Sequence, residues 1–231
     1  MNFPLPGDYI DIHNHDASSA EGVFILDNLM AHEGILPGDT DGRIYSLGIH
    51  PWFLNEDNHD QLIDFVKYNS LNPAIAAIGE ADFDRIRGPS KELQHRTFAE
   101  QAVISEDTRK PLVVHCVRAW DELMAAHKKL KPEMPWLIHG FRGKKELAMQ
   151  LISRNMYISF WCDFIIRPEA SVLVRSLPVE RIFLETDGSG ADIKKIYDKV
   201  SNDIGITVEE LKHQIFSNYN NLFKINVLTT E

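Results

Sequence analysis

The chain has very little cysteine, no long apolar run and a shortage of positive charge. Cys116 and Cys162 are the only thiols in 231 residues. Two thiols with no framework spacing argue against a disulfide-stapled secreted fold and fit a reducing cytoplasm. No apolar stretch approaches the ~20 residues needed to span a bilayer, so no membrane segment is expected. The opening Met1-Asn2-Phe3-Pro4-Leu5-Pro6-Gly7-Asp8 has neither a basic start nor an apolar h-region, and no signal peptide is expected. Lys and Arg number 24 against 34 Asp and Glu, a formal net charge of −10. That balance weighs against a broad basic surface for nucleic acid, which binds mainly through Lys and Arg at its phosphates. It leaves room for a phosphate-containing substrate, because bound cations can invert the local sign of a site. No repeat, low-complexity tract or linker interrupts the sequence, so residues 1–231 read as one domain with no obligate protein partner. Hydrophobic content of 44% and charged content of 25% are those of an ordinary globular chain.

Short β-rich runs alternate with longer amphipathic stretches. The runs are Tyr9–His13, Gly22–Leu26, Arg43–Gly48, Ala74–Gly79, Pro111–His115, Trp136–His139, Met156–Phe160 and Arg181–Leu184. Helices are expected over Pro89–Thr108, Arg118–Leu130, Lys144–Arg154, Pro168–Leu177, Ala191–Asp203 and Thr207–Phe223. Thr207-Val208-Glu209-Glu210 has the form of a capping box, with Leu211, Ile215, Tyr219 and Leu222 behind it. Eight strands with helices between them predict an α/β fold, a (β/α)₈ TIM barrel near the small end of its size range. The connection from Met30 to Gly42 is too short and glycine-rich for a full helix, so the barrel is expected to be slightly abridged after the second strand.

In such barrels the active site lies at the C-terminal ends of the strands. The first run leads into His13 and His15, and alternation along a strand puts Asp11, His13 and His15 on one face. Alone, this His-x-His pair reads equally as a metal site or as solvated residues where a strand meets its loop. His50 follows the third run, Glu80 the fourth, His115 ends the fifth, His139 the sixth, and Asp187 follows the eighth. Imidazoles and carboxylates converging on one rim exceed what a single tetrahedral metal needs and predict two divalent metal ions, Zn, Mn or Mg. Glu80 can bridge two ions through its two oxygens, and Asp187 can ligate one and take a proton from the attacking water. The nucleophile is then a metal-activated hydroxide.

This order of residues resembles the amidohydrolase superfamily, and more closely the TatD-type metal-dependent hydrolases. The matching pieces are Asp11-Ile12-His13-Asn14-His15, Gly48-Ile49-His50-Pro51, Ile78-Gly79-Glu80, Pro111-Leu112-Val113-Val114-His115, Ile138-His139-Gly140-Phe141-Arg142-Gly143 and Leu184-Glu185-Thr186-Asp187. The resemblance implies a (β/α)₈ barrel with His13, His15, Glu80, His115, His139 and Asp187 as metal ligands. It also implies a hydrolase for which DNA phosphodiesters are the most often attributed substrate. The chain departs from the family in the loops around these positions. Gly-Glu continues as Ala81-Asp82-Phe83-Asp84 where Gly-Leu-Asp is usual, and the arginine after His115 is moved one place to Arg118. Arg142 stands where a serine is usual, and Gly188-Ser189-Gly190 replaces Ser-Pro-Tyr.

These readings give a cytoplasmic metal-dependent hydrolase that cleaves phosphodiester bonds, deoxyribonuclease-like, with Asp187 and Glu80 at the chemistry. A small phosphoester, amide or lactone is the alternative substrate, and a non-catalytic metal-binding protein the further alternative. His50, Arg142, Arg118 and Asp84 are candidate substrate contacts. His50 is as well read as a support behind the ligands, and Arg118 as a surface residue at a helix start. Asp11 is expected either to orient a ligand imidazole or to serve as a buried hydrogen-bonding group. Trp52, Phe53 and Trp161 read as core aromatics, with lining of the site's crater as the alternative, and Cys116 as a buried inert thiol.

Overall fold

In a computed structural model, residues 3–15, 20–36 and 42–224 are described. The fold is the (β/α)₈ class. Eight strands follow one another in a single sheet order, β1 to β8, and helices alternate with them. By its internal contacts the chain divides into two compact units. One is Asp27–Ile138, and the other is Phe3–Leu26 together with the chain from His139 onward.

The first unit holds the second half of β2 (Val23–Met30), then β3 (Tyr45–Gly48), β4 (Ile75–Asp84), β5 (Leu112–Val117) and β6 (Trp136–Ile138). Its helices are α1 (His59–Asn69), α2 (Lys91–Thr108) and α3 (Trp120–Leu130). All its strand pairs are parallel, with Asp27 opposite Tyr45, Tyr45 opposite Ile75, Ile78 opposite Leu112 and Leu112 opposite Trp136. Ser90 starts α2 by accepting a hydrogen bond from Leu93 N at 3.2 Å, and the apolar stripe Leu93, Phe98, Ala102 and Ile104 is buried as the sequence predicts. Helix α1 is not anticipated by the sequence reading. It buries only Leu62 and Val66 among its apolar residues and has no side-chain cap, so its periodic signal is thin.

The second unit holds β1 (Tyr9–Asn14), β7 (Tyr157–Trp161) and β8 (Ile182–Glu185). Its helices are α4 (Lys145–Ile152), the single turn α5 (Cys162–Ile165), α6 (Pro168–Arg175), α7 (Ile193–Ile204) and α8 (Val208–Leu222). The predicted capping box opens α8. Thr207 Oγ1 accepts from Glu210 N at 3.2 Å, and Glu210 Oε2 accepts from Thr207 N at 2.8 Å. Two buried side chains from these last helices reach the strands. Tyr197 on α7 accepts from Ile10 N at 2.9 Å and donates to Ile10 O at 3.1 Å. Asn218 on α8 donates to Val179 O at 2.8 Å and Ile182 O at 2.9 Å. These bonds fix β1 and the entry to β8 against the outer helices.

Between β2 and β3 the described residues form only the 3₁₀ turn Ala31–Glu33, in keeping with the expected abridgement. Residues 37–41 of that connection lie outside the described residues. Among the described residues no helix is long and apolar enough to cross a membrane. The strand boundaries agree with the sequence to within two residues except at β2, which continues past Leu26 to Met30, and at β4, which continues through Glu80 to Asp84. The pairing of β4 with β5 slips between Ile78 and Ala81, so an irregularity lets the strand carry on past Gly79-Glu80.

That irregularity rests on close backbone contact. A Cβ added at Gly48 would lie 2.4 Å from Gly79 C and 2.5 Å from Glu80 O, and one at Gly79 would lie 2.2 Å from Val113 O. Only a residue without a side chain lets β3, β4 and β5 approach so closely at the level of Glu80. Gly48→Ala is therefore expected to lower stability by about 2 kcal/mol or more, since the obstacle is backbone and cannot rotate away. Urea denaturation of purified variant and wild type measures it, and an unchanged midpoint would contradict the packing described.

Candidate metal centres

Each unit carries a cluster of imidazoles and carboxylates at strand ends. In the second unit His13, His15 and Asp187 offer ligand atoms that all lie within 4.8 Å of one another. Asp187 Oδ1 is 3.8 Å from His13 Nε2 and 3.5 Å from His15 Nε2. The His13 side chain is fully buried, whereas those of His15 and Asp187 are 25% and 24% exposed, so the cluster has one dry side and one open to solvent. Asp187 sits in the left-handed region, with φ of 48°, and its N–H donates to His13 O at 3.2 Å. His139 lies behind His13, with ring centroids 4.1 Å apart, and also belongs to a second grouping with Glu185 and Asp187.

Asn14, between the two histidines, holds this cluster in shape. Its Nδ2 donates to Asp11 Oδ2 at 2.8 Å and to Thr186 Oγ1 at 2.6 Å. Its Oδ1 accepts from His15 N at 2.7 Å and Gly188 N at 3.1 Å. One amide thus ties the end of β1 to both sides of Asp187. Asp11 completes the tie by accepting from Thr186 N at 3.0 Å and Thr186 Oγ1 at 2.5 Å. Burial pushes the Asp11 carboxyl up to about 7, with the hydrogen bonds from Thr186 and Asn14 opposing that rise. Of the two roles expected for Asp11, the structure shows the buried hydrogen-bonding one. A cavity of about 430 Å³ opens beside the cluster, with Asn14, His15, Thr186, Gly188 and Lys194 in its wall.

Glu185 has a structural role that sequence reasoning missed. Its Oε1 accepts from Gly140 N at 2.7 Å and stands 3.5 Å from His139 Nδ1. Its Oε2 accepts a short hydrogen bond from Ser159 Oγ. Glu185 directly precedes Thr186-Asp187 and in the sequence falls just after the expected strand Arg181–Leu184. Only the fold reveals that it sets the start of the loop after His139.

In the first unit His50, Glu80 and His115 form the corresponding cluster, again with ligand atoms within 4.8 Å. His115 Nδ1 lies 3.1 Å from Glu80 Oε1. His50 has a close polar neighbour at each ring nitrogen. Its Nδ1 accepts from Trp52 N at 3.2 Å, which leaves the proton on Nε2, 3.4 Å from Asp82 Oδ2. Gln101 holds the preceding residue by accepting from Ile49 N at 2.8 Å, and Asn28 Oδ1 accepts from Glu80 N at 3.1 Å. Asp82 is thus a buried carboxyl neighbour of His50 that the sequence reading left without a role.

The remaining candidates are more scattered. Asp84 accepts from Trp52 Nε1 at 2.8 Å, Ile86 N at 2.6 Å and Arg87 N at 3.0 Å, so its carboxylate shapes the turn after β4. Burial opposes its ionisation, but these hydrogen bonds outweigh burial and hold its carboxyl below the usual range. Arg118 is exposed, with φ of 53°, just before α3. Arg142 is exposed and lies over the Trp161 ring at 4.1 Å. Trp52 and Phe53 are 43% and 39% exposed, which corrects the expectation that they pack in the core. The His50 cap starts a 3₁₀ turn, Pro51–Phe53, that carries both rings outward. Cys116 is half-buried, and burial pushes its thiol up to about 12, so it behaves as an inert group.

Two imidazole nitrogens with a carboxylate oxygen in one cluster, and the His115 imidazole with the Glu80 carboxylate in the other, are donors that suit a divalent cation of the zinc, manganese or magnesium group. Comparison with known proteins agrees. The family model described as TatD related DNase matches residues 38–224. An uncharacterized metal-dependent hydrolase of Escherichia coli, YcfH, is 25% identical over 212 residues, spanning 84% of this chain and 79% of that one. The Deoxyribonuclease Tat-D of Schizosaccharomyces pombe is 26% identical over 162 residues, 64% of this chain and 52% of that one. Among solved structures, the TatD homologue YjjV of Escherichia coli superposes with a TM-score of 0.78 at 18% identity, covering 96% of this chain and 100% of that one, and shows the same fold. With the family model spanning most of the sequence, the chain belongs to the TatD related DNase family of metal-dependent hydrolases.

Proposed function

We propose that this protein is a cytoplasmic phosphodiesterase that cleaves DNA and works with two divalent ions, Zn, Mn or Mg. The observation that carries the reading is the convergence of His13, His15 and Asp187 in one cluster, buried at His13 and open to solvent at His15 and Asp187. His13, His15, Asp187 and His139 would hold one ion, and Glu80 and His115 the other. When bound, such ions acidify a water towards neutrality and polarise the scissile phosphate ester. Asp187 is the proton acceptor in this reading. It reaches solvent through its exposed quarter, and Asn14 and His13 O fix its backbone so that the carboxylate keeps one orientation. The exposed guanidiniums of Arg142 and Arg118 are donors that match phosphate oxygens, and His50 stands beside Glu80 and His115 as the further candidate contact. The free state of both cysteines is compatible with a reducing compartment.

Purified protein is expected to hydrolyse bis(para-nitrophenyl) phosphate and single-stranded DNA. Activity should disappear on dialysis against a chelator and return on adding back Mn²⁺, Zn²⁺ or Mg²⁺. Full turnover by protein shown to be metal-free by elemental analysis would sink the proposal. Asp187→Asn should keep the fold, since the backbone bonds that place it remain, and lose about 100-fold or more in kcat, as expected when a general base is removed. Wild-type kcat in that variant, with metal content restored, would remove Asp187 from the role.

A further inference from the structure

The chain is acidic overall, yet one groove in the second unit has the opposite sign. It runs between the loop after β6 and helix α6, encloses about 520 Å³, and is lined by Arg142, Lys144, Lys145 and Arg167 against a single carboxylate, Glu169. All four cations are exposed. Some cations elsewhere pair with acids, as in Arg85 with Asp121, Arg96 with Glu56 and Lys199 with Asp203. Among the described residues, none of the four groove cations forms an ion pair. Their positive potential is therefore not neutralised within the protein, and in a chain of net charge −10 it is a local inversion.

The floor of the groove is apolar. Phe164 and Leu173 are buried beneath it, and Val172 is 70% exposed. The groove is also tied to the His13–His15–Asp187 cluster of the same unit. Arg142 covers Trp161, and Trp161 Nε1 donates at 3.2 Å to Thr186 O, the carbonyl directly before Asp187.

We propose that this groove carries the phosphate backbone of a single-stranded nucleic acid substrate, with Lys144, Lys145 and Arg167 on the phosphates and the apolar floor against bases. The proposal rests on the phosphodiesterase reading above. A single strand fits better than a duplex, because only unstacked bases can rest on an apolar floor while their phosphates meet the cationic rim. The groove's volume is in the range of a ligand subsite. It also resolves the tension between a strongly acidic chain and a polyanionic substrate, since the required positive charge is local.

The test compares wild type with the combined variant Lys144→Glu, Lys145→Glu and Arg167→Glu, all at exposed positions, after thermal melting confirms that both are folded. Binding of a fluorescein-labelled oligothymidylate is followed by anisotropy across a salt series in chelator. Each lost phosphate contact removes about 0.7 from the logarithmic salt slope, so the slope should flatten by about 2 and low-salt Kd should rise at least about tenfold. The ratio of oligonucleotide to bis(para-nitrophenyl) phosphate kcat/KM should fall by a similar factor. The charge-keeping variant Lys144→Arg, Lys145→Arg and Arg167→Lys should restore both readouts. An unchanged slope and ratio would overturn the proposal, as would an equal loss on the small diester. Loss of binding to phosphatidylserine vesicles with oligonucleotide binding intact would make the groove a membrane-facing surface and overturn it too. If wild type cleaves neither substrate, the phosphodiesterase reading fails, while anisotropy still decides whether the groove binds a strand.

Discussion

The second unit depends on one amide. Asn14 spends three of its hydrogen-bonding sites on residues that flank Asp187 or support that flank, and a fourth on His15 N. Beside it, the end of β1 and the loop after β8 meet through the 3.2 Å bond from Asp187 N to His13 O and the bonds from Thr186 to Asp11. The buried partners Asp11 and Thr186 make the tie stiff, because a polar group in that environment keeps its hydrogen bonds or loses stability. Two imidazoles and a carboxylate are held near one another by groups that do none of the chemistry themselves.

The first unit reaches a similar end by a different route. There the backbone is the constraint: Gly48 and Gly79 let three strands approach within a distance that excludes a Cβ, and the pairing slips where Glu80 emerges. Gln101 and Asn28 then fix the neighbouring peptide groups of Ile49 and Glu80. His50 gains a defined tautomer from the same local geometry, since Trp52 N occupies one ring nitrogen. Side-chain amides are the common device in both units, well suited to a polar interior because each offers both donors and acceptors.

Much of this was legible in the sequence because strand ends carry strong local signals. His13, His115 and His139 each close an apolar run, and the order of such runs was enough to anticipate eight parallel strands. The capping box of α8 was readable for the same reason, as two residues three apart carry its whole mechanism. Helix α1 was not, because its burial is shallow and its pattern weak. Asn14, Glu185 and Asp82 also escaped notice. Their importance comes from partners such as Thr186, Gly140 and His50, which are distant in sequence or on other strands, and no local pattern marks such a partner. Trp52 and Phe53 were misplaced because apolar character alone does not say which way a 3₁₀ turn will carry a ring.

The latches from Tyr197 and Asn218 bear on the order in which the protein is made. β1 leaves the ribosome well before α7 and α8, which hold β1 and the entry to β8. His13 and Asp187 stand far apart along the chain, so bringing them together closes a long loop whose entropy is offset only once those helices have docked. A nascent chain stopped short of Asn218 lacks the second latch. Translation through α8 thus completes the second latch, and a product truncated before Asn218 lacks the bonds that hold the entry to β8.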